Sequence, residues 1–222
     1  MSTYAPTPAT TPSRLAERVS YDEHAVHAVL DEALVSHVGF VVDGRPVVLP
    51  HLHARIGSTL YLHGSTGARA LLAARGDGLD VCVTVTLLDG LVLARSAFHH
   101  SVNYRSVIAH GTAHVVDSRA EQDAALHSLV ETVARGRSEG SRPPSAKELA
   151  ATTVLRLPLQ EVSVKSRSGP PSDDVEDLDL PHWAGVLPLA IVPGAPVAAP
   201  ELPTDRTVPG HVAQWTRPIS RL

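Results

Sequence analysis

Residues 59–69 read Thr-Leu-Tyr-Leu-His-Gly-Ser-Thr-Gly-Ala-Arg, and this stretch constrains the fold more than any other. Its first half is apolar, aromatic and β-branched, as is typical of a strand. Residues 68–74, in contrast, are a short apolar run of strong helix formers. The sequence therefore predicts a strand that turns a corner into a short helix.

The corner carries polar groups that suit an anion. Ser65 and Thr66 place hydroxyl groups beside the N–H groups of the first helical turn, which have no partner within the helix. Arg69 can form paired hydrogen bonds with phosphate oxygens. These residues predict a phosphate site, but from composition alone the capping of the helix by Ser65 or Thr66 beside a surface arginine is favoured over it. The sequence leaves both interpretations open.

Further short strands are predicted on both sides of this corner. Asp43-Gly44 and Asp89-Gly90 each separate two apolar runs, which is a hairpin signal. The predicted strands span residues 36–42, 45–49, 53–56, 59–63, 80–88, 91–97, 104–116 and 154–165.

Helices are few by comparison. Ser20 and Glu23 have the spacing of a capping box before an amphipathic helix, and Ser118 and Glu121 repeat that spacing before a second helix with Leu126, Leu129, Val130 and Val133 on one face. A short helix is predicted at residues 145–151. A parallel fold would need a helix after nearly every strand. The pattern therefore predicts a mainly β protein, a closed or half-closed barrel with peripheral helices.

Composition divides the chain into three parts. Residues 1–19 are rich in Pro, Thr and Ser and predict a flexible arm, residues 20–190 predict the barrel domain, and residues 191–222 are Pro-dense and predict an extended tail.

Charge and apolar content exclude several classes of partner. The 222 residues carry a net charge of −4, and only 4% of them are aromatic, which argues against a nucleic-acid or membrane surface. No run approaches the ~20 apolar residues of a membrane span. Residues 1–14 lack a secretory pattern, and the single cysteine, Cys82, cannot form an internal disulfide. We expect a cytoplasmic protein with a small-molecule ligand.

Several motifs, taken in chain order, resemble a known family. They are Ser-His-Val-Gly-Phe at 36–40, Pro-His-Leu-His-Ala-Arg at 50–55, Leu-Tyr-Leu-His-Gly-Ser at 60–65 and Asn-Tyr-Arg-Ser-Val at 103–107. In this order the chain resembles the flavin-nucleotide-binding branch of the pyridoxamine 5′-phosphate oxidase-like split barrels, which includes nitroimidazole-resistance reductases. The resemblance runs from about residue 14 to residue 189 and takes in residues 165–171 and 183–186.

The resemblance implies a six-stranded antiparallel split β-barrel of the FMN-binding type, normally a homodimer with FMN in the groove between subunits. By this likeness Ser65, Thr66 and Arg69 hold the FMN phosphate. It assigns no catalytic residue. Further cofactor-binding residues that it implies, on the strands or from the partner subunit, are His51, His53, His63, Ser106, Lys165, Arg167 and Trp183.

The implied function is an FMN-dependent oxidoreductase that takes electrons from NADPH or NADH and reduces a small electrophile at the dimer interface. Deazaflavin or haem could replace FMN. Residues 215–222 resemble only superficially the segment with which the vitamin-salvage oxidases hold their substrate, so pyridoxamine phosphate oxidase activity itself is not expected.

Two other functions remain open at this stage. A non-catalytic flavin- or haem-binding protein of the same fold would retain the cofactor without turning over NADPH. A metal-dependent barrel enzyme could instead use His51 and His53, which alternate onto one face of a strand, with His110 or His114 opposite. No carboxylate completes such a ligand set persuasively.

Overall fold

The structure, a computed structural model, describes residues 2–217. Within this range, nine strands form one antiparallel sheet system. They are β1 (Val19–Ser20), β2 (Val35–Val42), β3 (Arg45–Ile56), β4 (Thr59–Ser65), β5 (Leu79–Leu93), β6 (Ser101–Val115), β7 (Thr152–Pro158), β8 (Glu161–Arg167) and β9 (Gly185–Pro188).

Six of these strands close into a ring. The sheet order is β1-β8-β6-β7-β4-β3-β2-β5-β9. An additional pairing of β5 with β6 closes the ring β6-β7-β4-β3-β2-β5. The ring leaves β1, β8 and β9 as outer strands. The six-stranded antiparallel split barrel predicted from the sequence is confirmed.

Of the two Asp-Gly pairs that predicted hairpin turns, one forms a turn and the other lies within a strand. Asp43 and Gly44 adopt positive φ angles of 53° and 73° and join β2 to β3, as predicted. The prediction of a turn at Asp89-Gly90 is wrong, because β5 continues through both residues with a bulge between Leu88 and Gly90. At Gly90, β9 packs so closely that an added Cβ would lie 3.0 Å from Val186 Cγ1.

Another difference concerns β3, which is one strand of twelve residues where the sequence predicted two shorter ones. It pairs with β2 as far as Leu52 and with β4 from His53 onward. Because of this change of partner strand, the residues of β3 before and after His53 lie beside different strands.

Five α-helices are present within residues 2–217. They are α1 (Glu23–Glu32), α2 (Arg69–Ala73), α3 (Arg119–Val133), α4 (Ala146–Ala150) and α5 (Gly210–Ala213). The cap of α1 is Asp22, whose carboxylate accepts from the Ala25 N–H at 2.8 Å, rather than the predicted Ser20. Ser118 caps α3 as expected. The buried side chains of α1, Val26, Val29 and Leu30, join the barrel core.

Both ends of the described chain return to the barrel. At the N-terminal end, Tyr4 is buried, and its N–H bonds to the carbonyl of Tyr21. Residues 191–208 are exposed, after which α5 packs against the domain, and residues 218–222 of the C-terminal motif lie outside the described part. None of the helices within residues 2–217 is long and apolar enough to span a membrane.

Candidate functional site

The predicted strand, corner and helix are present. Strand β4 ends at Ser65, and α2 begins at Arg69. The residue that caps α2 is Ala68, and no side chain caps this helix. The Ser65 hydroxyl accepts the Gly67 N–H, at 3.4 Å. Capping of the helix by Ser65 or Thr66 is therefore wrong.

A cavity of about 500 Å³, here called the corner cavity, opens beside this turn. Its polar contributions include Arg69 from α2 and His51 from β3. Its apolar walls come from β2, β3 and α2: Phe40, Val42, Val47, Leu49 and Leu71. Gly64 permits the close approach of α2, since an added Cβ would lie 2.8 Å from Leu71 Cδ1.

A second and larger cavity lies on the other side of the corner. This apolar cavity has a volume of about 800 Å³ and is lined by β4, α3 and the segment that leads into α4. Its apolar lining is Leu52, Leu126, Leu129, Val130, Val133, Pro143, Pro144 and Leu149. Tyr61 fixes α3 over β4, because its hydroxyl donates to Glu121 at 2.9 Å.

Two histidines line the apolar cavity, His63 from β4 and His127 from α3. Within residues 2–217, Nδ1 of His63 is buried and has no hydrogen-bond partner. Burial lowers the pKa of His63, and the neighbouring His51 lowers it further. A neutral imidazole with a free nitrogen is the form that binds a metal or accepts a hydrogen bond.

His51 lies near both cavities. It lines the corner cavity, and it is close enough to His63, which lines the apolar cavity, to lower the pKa of His63. Burial lowers the pKa of His51, and the backbone of His63 opposes that effect.

His53 lies apart from this group. It is only 1% exposed, and its Nε2 is 2.9 Å from the carbonyl oxygen of Leu30. In the described part of the chain, no three His, Cys, Asp or Glu side chains are placed to hold a metal ion together. The two histidines of the metal-enzyme alternative thus lack the further ligands it needs.

Ser106, Lys165 and Arg167 lie on the neighbouring strands β6 and β8. Ser106 is paired with Lys165 across the sheet, and its hydroxyl donates to the Val85 carbonyl at 2.8 Å. Arg167 donates to Asn103 Oδ1 and to the Pro170 carbonyl at 3.1 Å. The Ser106 and Arg167 side chains thus form hydrogen bonds within their own chain.

Trp183 precedes β9 and is 69% exposed. Its ring covers Gly185, where an added Cβ would lie 2.9 Å from Trp183 Cη2. The side chain therefore presents most of its surface outward.

His127 was missed from the sequence. It precedes Val130 by three residues, so it borders the apolar face predicted for α3. That spacing was the signal in the sequence from which a position beside the apolar face of α3 could have been predicted. Arg119 and Arg142 also line the apolar cavity and pair with Asp123 and Glu148, respectively.

Comparison with known proteins agrees with this architecture. A family model for pyridoxamine 5′-phosphate oxidase matches residues 22–166. The flavocytochrome Anf3 from Azotobacter vinelandii is 38% identical, with a TM-score of 0.87 over 94% of this chain and 97% of that one. An FAD- and haem-binding protein from Mycobacterium smegmatis is 36% identical, with a TM-score of 0.83 over 88% and 95% of the two chains.

A 5-nitroimidazole antibiotic resistance protein from Bacteroides thetaiotaomicron shares the fold at 20% identity, with a TM-score of 0.56 over 66% of this chain and 85% of that one. No similar protein was found among those with curated descriptions. The matched residues include the barrel strands from β2 to β7, most of β8, and the cavity-lining histidines His51 on β3 and His63 on β4. The chain therefore belongs to the pyridoxamine 5′-phosphate oxidase family.

Proposed function

We propose that this protein is a flavin- and haem-binding oxidoreductase. The flavin nucleotide would bind at the corner cavity and the haem in the apolar cavity. The observation that carries the proposal is the buried His63 ring, which lines an apolar cavity next to the corner and has one nitrogen without a hydrogen-bond partner among residues 2–217. The relatives that are 38% and 36% identical are described as a flavocytochrome and as an FAD- and haem-binding protein.

The corner supplies the groups that a flavin phosphate needs. Arg69 is exposed at the cavity, and the hydroxyls of Ser65 and Thr66 are not used to cap α2. Charge-assisted hydrogen bonds from a guanidinium to phosphate are among the stronger polar contacts in proteins. FMN and FAD share this phosphate, and FMN is the simpler occupant that the family resemblance implies.

The apolar cavity fits the chemistry of haem. Apolar side chains from α3 and the segment before α4 would cover a flat apolar ring, and His63 or His127 could bind the iron. Arg119 and Arg142 line the same cavity, each paired with a carboxylate, and either guanidinium could exchange that partner for a carboxylate of haem. Burial keeps His63 neutral, which is the state that metal binding requires.

When bound, the flavin supplies hydride and single-electron chemistry and the haem supplies single-electron chemistry. The protein's own contribution is to hold the two groups on either side of β4 and to exclude water from the apolar cavity. NADPH or NADH as electron donor and a small electrophile as acceptor complete the proposed reaction. A non-catalytic flavin- and haem-binding role is the second candidate, favoured by the same cavities.

A homodimer belongs to the same proposal. Apolar side chains are exposed along the segment around β9, where Val175 is 82%, Trp183 69% and Val192 78% exposed. Such surface is typical of an interaction face. Lys165, Arg167 and Trp183 would then close the flavin site of the partner subunit.

Absorbance spectra of the purified protein, with and without added flavin and hemin, test the proposal. We expect a retained flavin band and a Soret band, with FMN, FAD or deazaflavin identified by the mass of the released cofactor. His63→Gln should lose or shift the Soret band and keep the flavin, whereas His24→Gln, at an exposed position on α1, should change neither.

The outcomes separate the alternatives. Flavin without any Soret band would contradict the haem part, and failure to retain any flavin would contradict the flavin part. Oxidation of NADPH or NADH by the loaded protein supports an enzyme, and its absence with several small electrophiles favours the non-catalytic role. Light scattering of the eluted protein tests the dimer.

A further inference from the structure

The corner cavity carries a second arginine, which the proposed contact with one flavin phosphate does not use. Arg69 lies at the start of α2, beside the Ser65 and Thr66 hydroxyls, and Arg45 is the first residue of β3. Both arginines line the cavity, and both are exposed. A ligand in the cavity therefore has access to two guanidinium groups from two different elements.

Strand geometry places Arg45 on the cavity side of β3. Alternate residues of a strand share one face. The alternate residues at the start of β3 all line the cavity: Arg45, Val47, Leu49 and His51. With a rise of about 3.3 Å per residue, the six steps from the first of these to the last cover about 20 Å. The cavity wall is therefore elongated, with Arg45 at the β2–β3 hairpin and His51 at the opposite end.

Neither arginine is neutralised by a neighbouring carboxylate. Within residues 2–217, no ion pair includes Arg45 or Arg69, whereas the two arginines of the apolar cavity are both paired. Among the described residues that line the corner cavity, Asp43 is the single acidic one. Two positive charges and one negative charge give this lining a net charge of +1. The lining therefore favours an anion.

The places of the two arginines suit two phosphate groups better than one. A guanidinium pairs with a phosphate through two parallel hydrogen bonds, so Arg69 and the corner hydroxyls already meet the needs of one phosphate. Arg45 lies at the hairpin, where Asp43, Gly44 and Pro46 are exposed as well. A ligand that continues past Arg45 leaves the cavity into solvent. The volume of about 500 Å³ therefore has to hold only part of such a ligand.

We infer that Arg45 selects a dinucleotide flavin, FAD, over FMN. The inference rests on the proposed flavin-binding function. The phosphate that FMN and FAD share pairs with Arg69, the second phosphate of FAD pairs with Arg45, and the adenosine group extends beyond the β2–β3 hairpin. Arg45 is thus a specificity-determining residue, because FMN has no second phosphate to pair with it.

Fluorescence titration with FMN and with FAD tests the inference on the full-length protein freed of flavin. We expect the parent to bind FAD more tightly than FMN. Arg45→Ala should weaken FAD binding at least about 10-fold, or about 1.4 kcal/mol, and FMN binding less than about 2-fold. Arg45→Lys keeps the charge and should recover part of the FAD affinity. Arg75→Ala removes an exposed arginine outside the cavity lining and should change neither affinity.

Inorganic pyrophosphate and phosphate test the same residue without any flavin. In calorimetric titrations the parent and Arg75→Ala should bind pyrophosphate more tightly than phosphate, and Arg45→Ala should lose most of this preference. Loss of the preference in Arg45→Ala, in a protein that binds neither flavin, would support the second phosphate contact and contradict the proposed flavin function. The two proposals can therefore fail separately.

Three results would overturn the inference. Equal weakening of FMN and FAD binding by Arg45→Ala would mean that both arginines hold one phosphate. An unchanged FAD affinity in that variant would remove Arg45 from the site. A parent protein that binds FMN as tightly as FAD would show that the second phosphate makes no favourable contact.

Discussion

Arg105 on β6 forms a two-pronged ion pair with Glu32 at the end of α1, with Nη1–Oε2 and Nη2–Oε1 distances of 2.5 and 2.9 Å. The same guanidinium bonds to both oxygens of Asp89, at the bulge of β5. These bonds raise the pKa of Arg105 above its usual value. One side chain therefore ties a helix and two strands together.

Replacement of Arg105 should destabilise the fold strongly. Glu32 has 5% of its side chain exposed, so Arg105→Met leaves a buried carboxylate without its main cation. Breaking such a pair costs about 3–5 kcal/mol. Urea unfolding measures the loss, and the double variant Arg105→Met with Glu32→Leu should recover part of it.

The matched control for this pair is Arg119→Met, which removes an exposed pair with Asp123 on α3. Its cost should be within about 0.5 kcal/mol. Equal losses in Arg105→Met and Arg119→Met would show that the buried network contributes nothing beyond a surface pair.

Arg69 should set the affinity for flavin. Arg69→Ala removes a charge-assisted contact to the phosphate and should weaken binding by roughly 1.5–3 kcal/mol, or about 10- to 150-fold in Kd. Fluorescence titration with FMN and with FAD measures it. Arg75→Ala, also exposed and just beyond α2, is the control and should bind as the parent does. An unchanged Kd for Arg69→Ala would remove Arg69 from the site.

The buried ring of His53 should make stability depend on pH. Because burial lowers its pKa, the unfolded chain binds a proton near pH 6.5 that the folded chain does not. This contribution is complete above about pH 6.5 and declines below it, by up to about 1.4 kcal/mol per pH unit, until the folded pKa is reached. Acid therefore favours unfolding.

His53→Gln retains an N–H donor for the Leu30 carbonyl and removes the titration. Urea unfolding between about pH 7.5 and pH 5.5 should show a shallower pH slope for this variant than for the parent. His24→Gln, at an exposed site, should keep the parent slope. Identical slopes in all three proteins would contradict a titrating role for His53.

Two neighbouring glycines should differ sharply in their tolerance of a side chain. Gly76 and Gly78 both have positive φ, at 83° and 95°. A Cβ at Gly76 meets nothing within 4 Å, whereas a Cβ at Gly78 would lie 2.6 Å from Thr112 and 2.9 Å from the Ala113 carbonyl. Gly76→Ala should cost about 1–2 kcal/mol, from backbone strain alone.

Gly78→Ala adds overpacking to that strain and should lower the free energy of unfolding by a further ~1–3 kcal/mol. Thermal or urea unfolding of the two variants compares them directly. Similar losses at both positions would mean that the contact with β6 relaxes without cost, contrary to the close packing of Gly78 on Thr112 and Ala113.

Local patterns were sufficient for much of the barrel. The Asp43-Gly44 turn and the corner between β4 and α2 were predicted correctly because turn residues and strand or helix propensity act within a few residues. Where a distant strand competes, the local signal fails: Asp89-Gly90 has the same composition as a hairpin turn, yet β6 pairs on both sides of it and makes it a bulge.

The amino-acid sequence by itself determined the barrel, the family and the polar corner with Arg69. Only the tertiary structure decided which cavity each histidine serves. His51 and His53 are two residues apart on β3, but the strand changes partners between them, so His51 lines the corner cavity while His53 is buried against the Leu30 carbonyl at α1. His127 reaches the apolar cavity from α3, far along the chain. Such contacts depend on how separate helices and strands pack together, and this packing cannot be predicted from the periodicity of neighbouring residues.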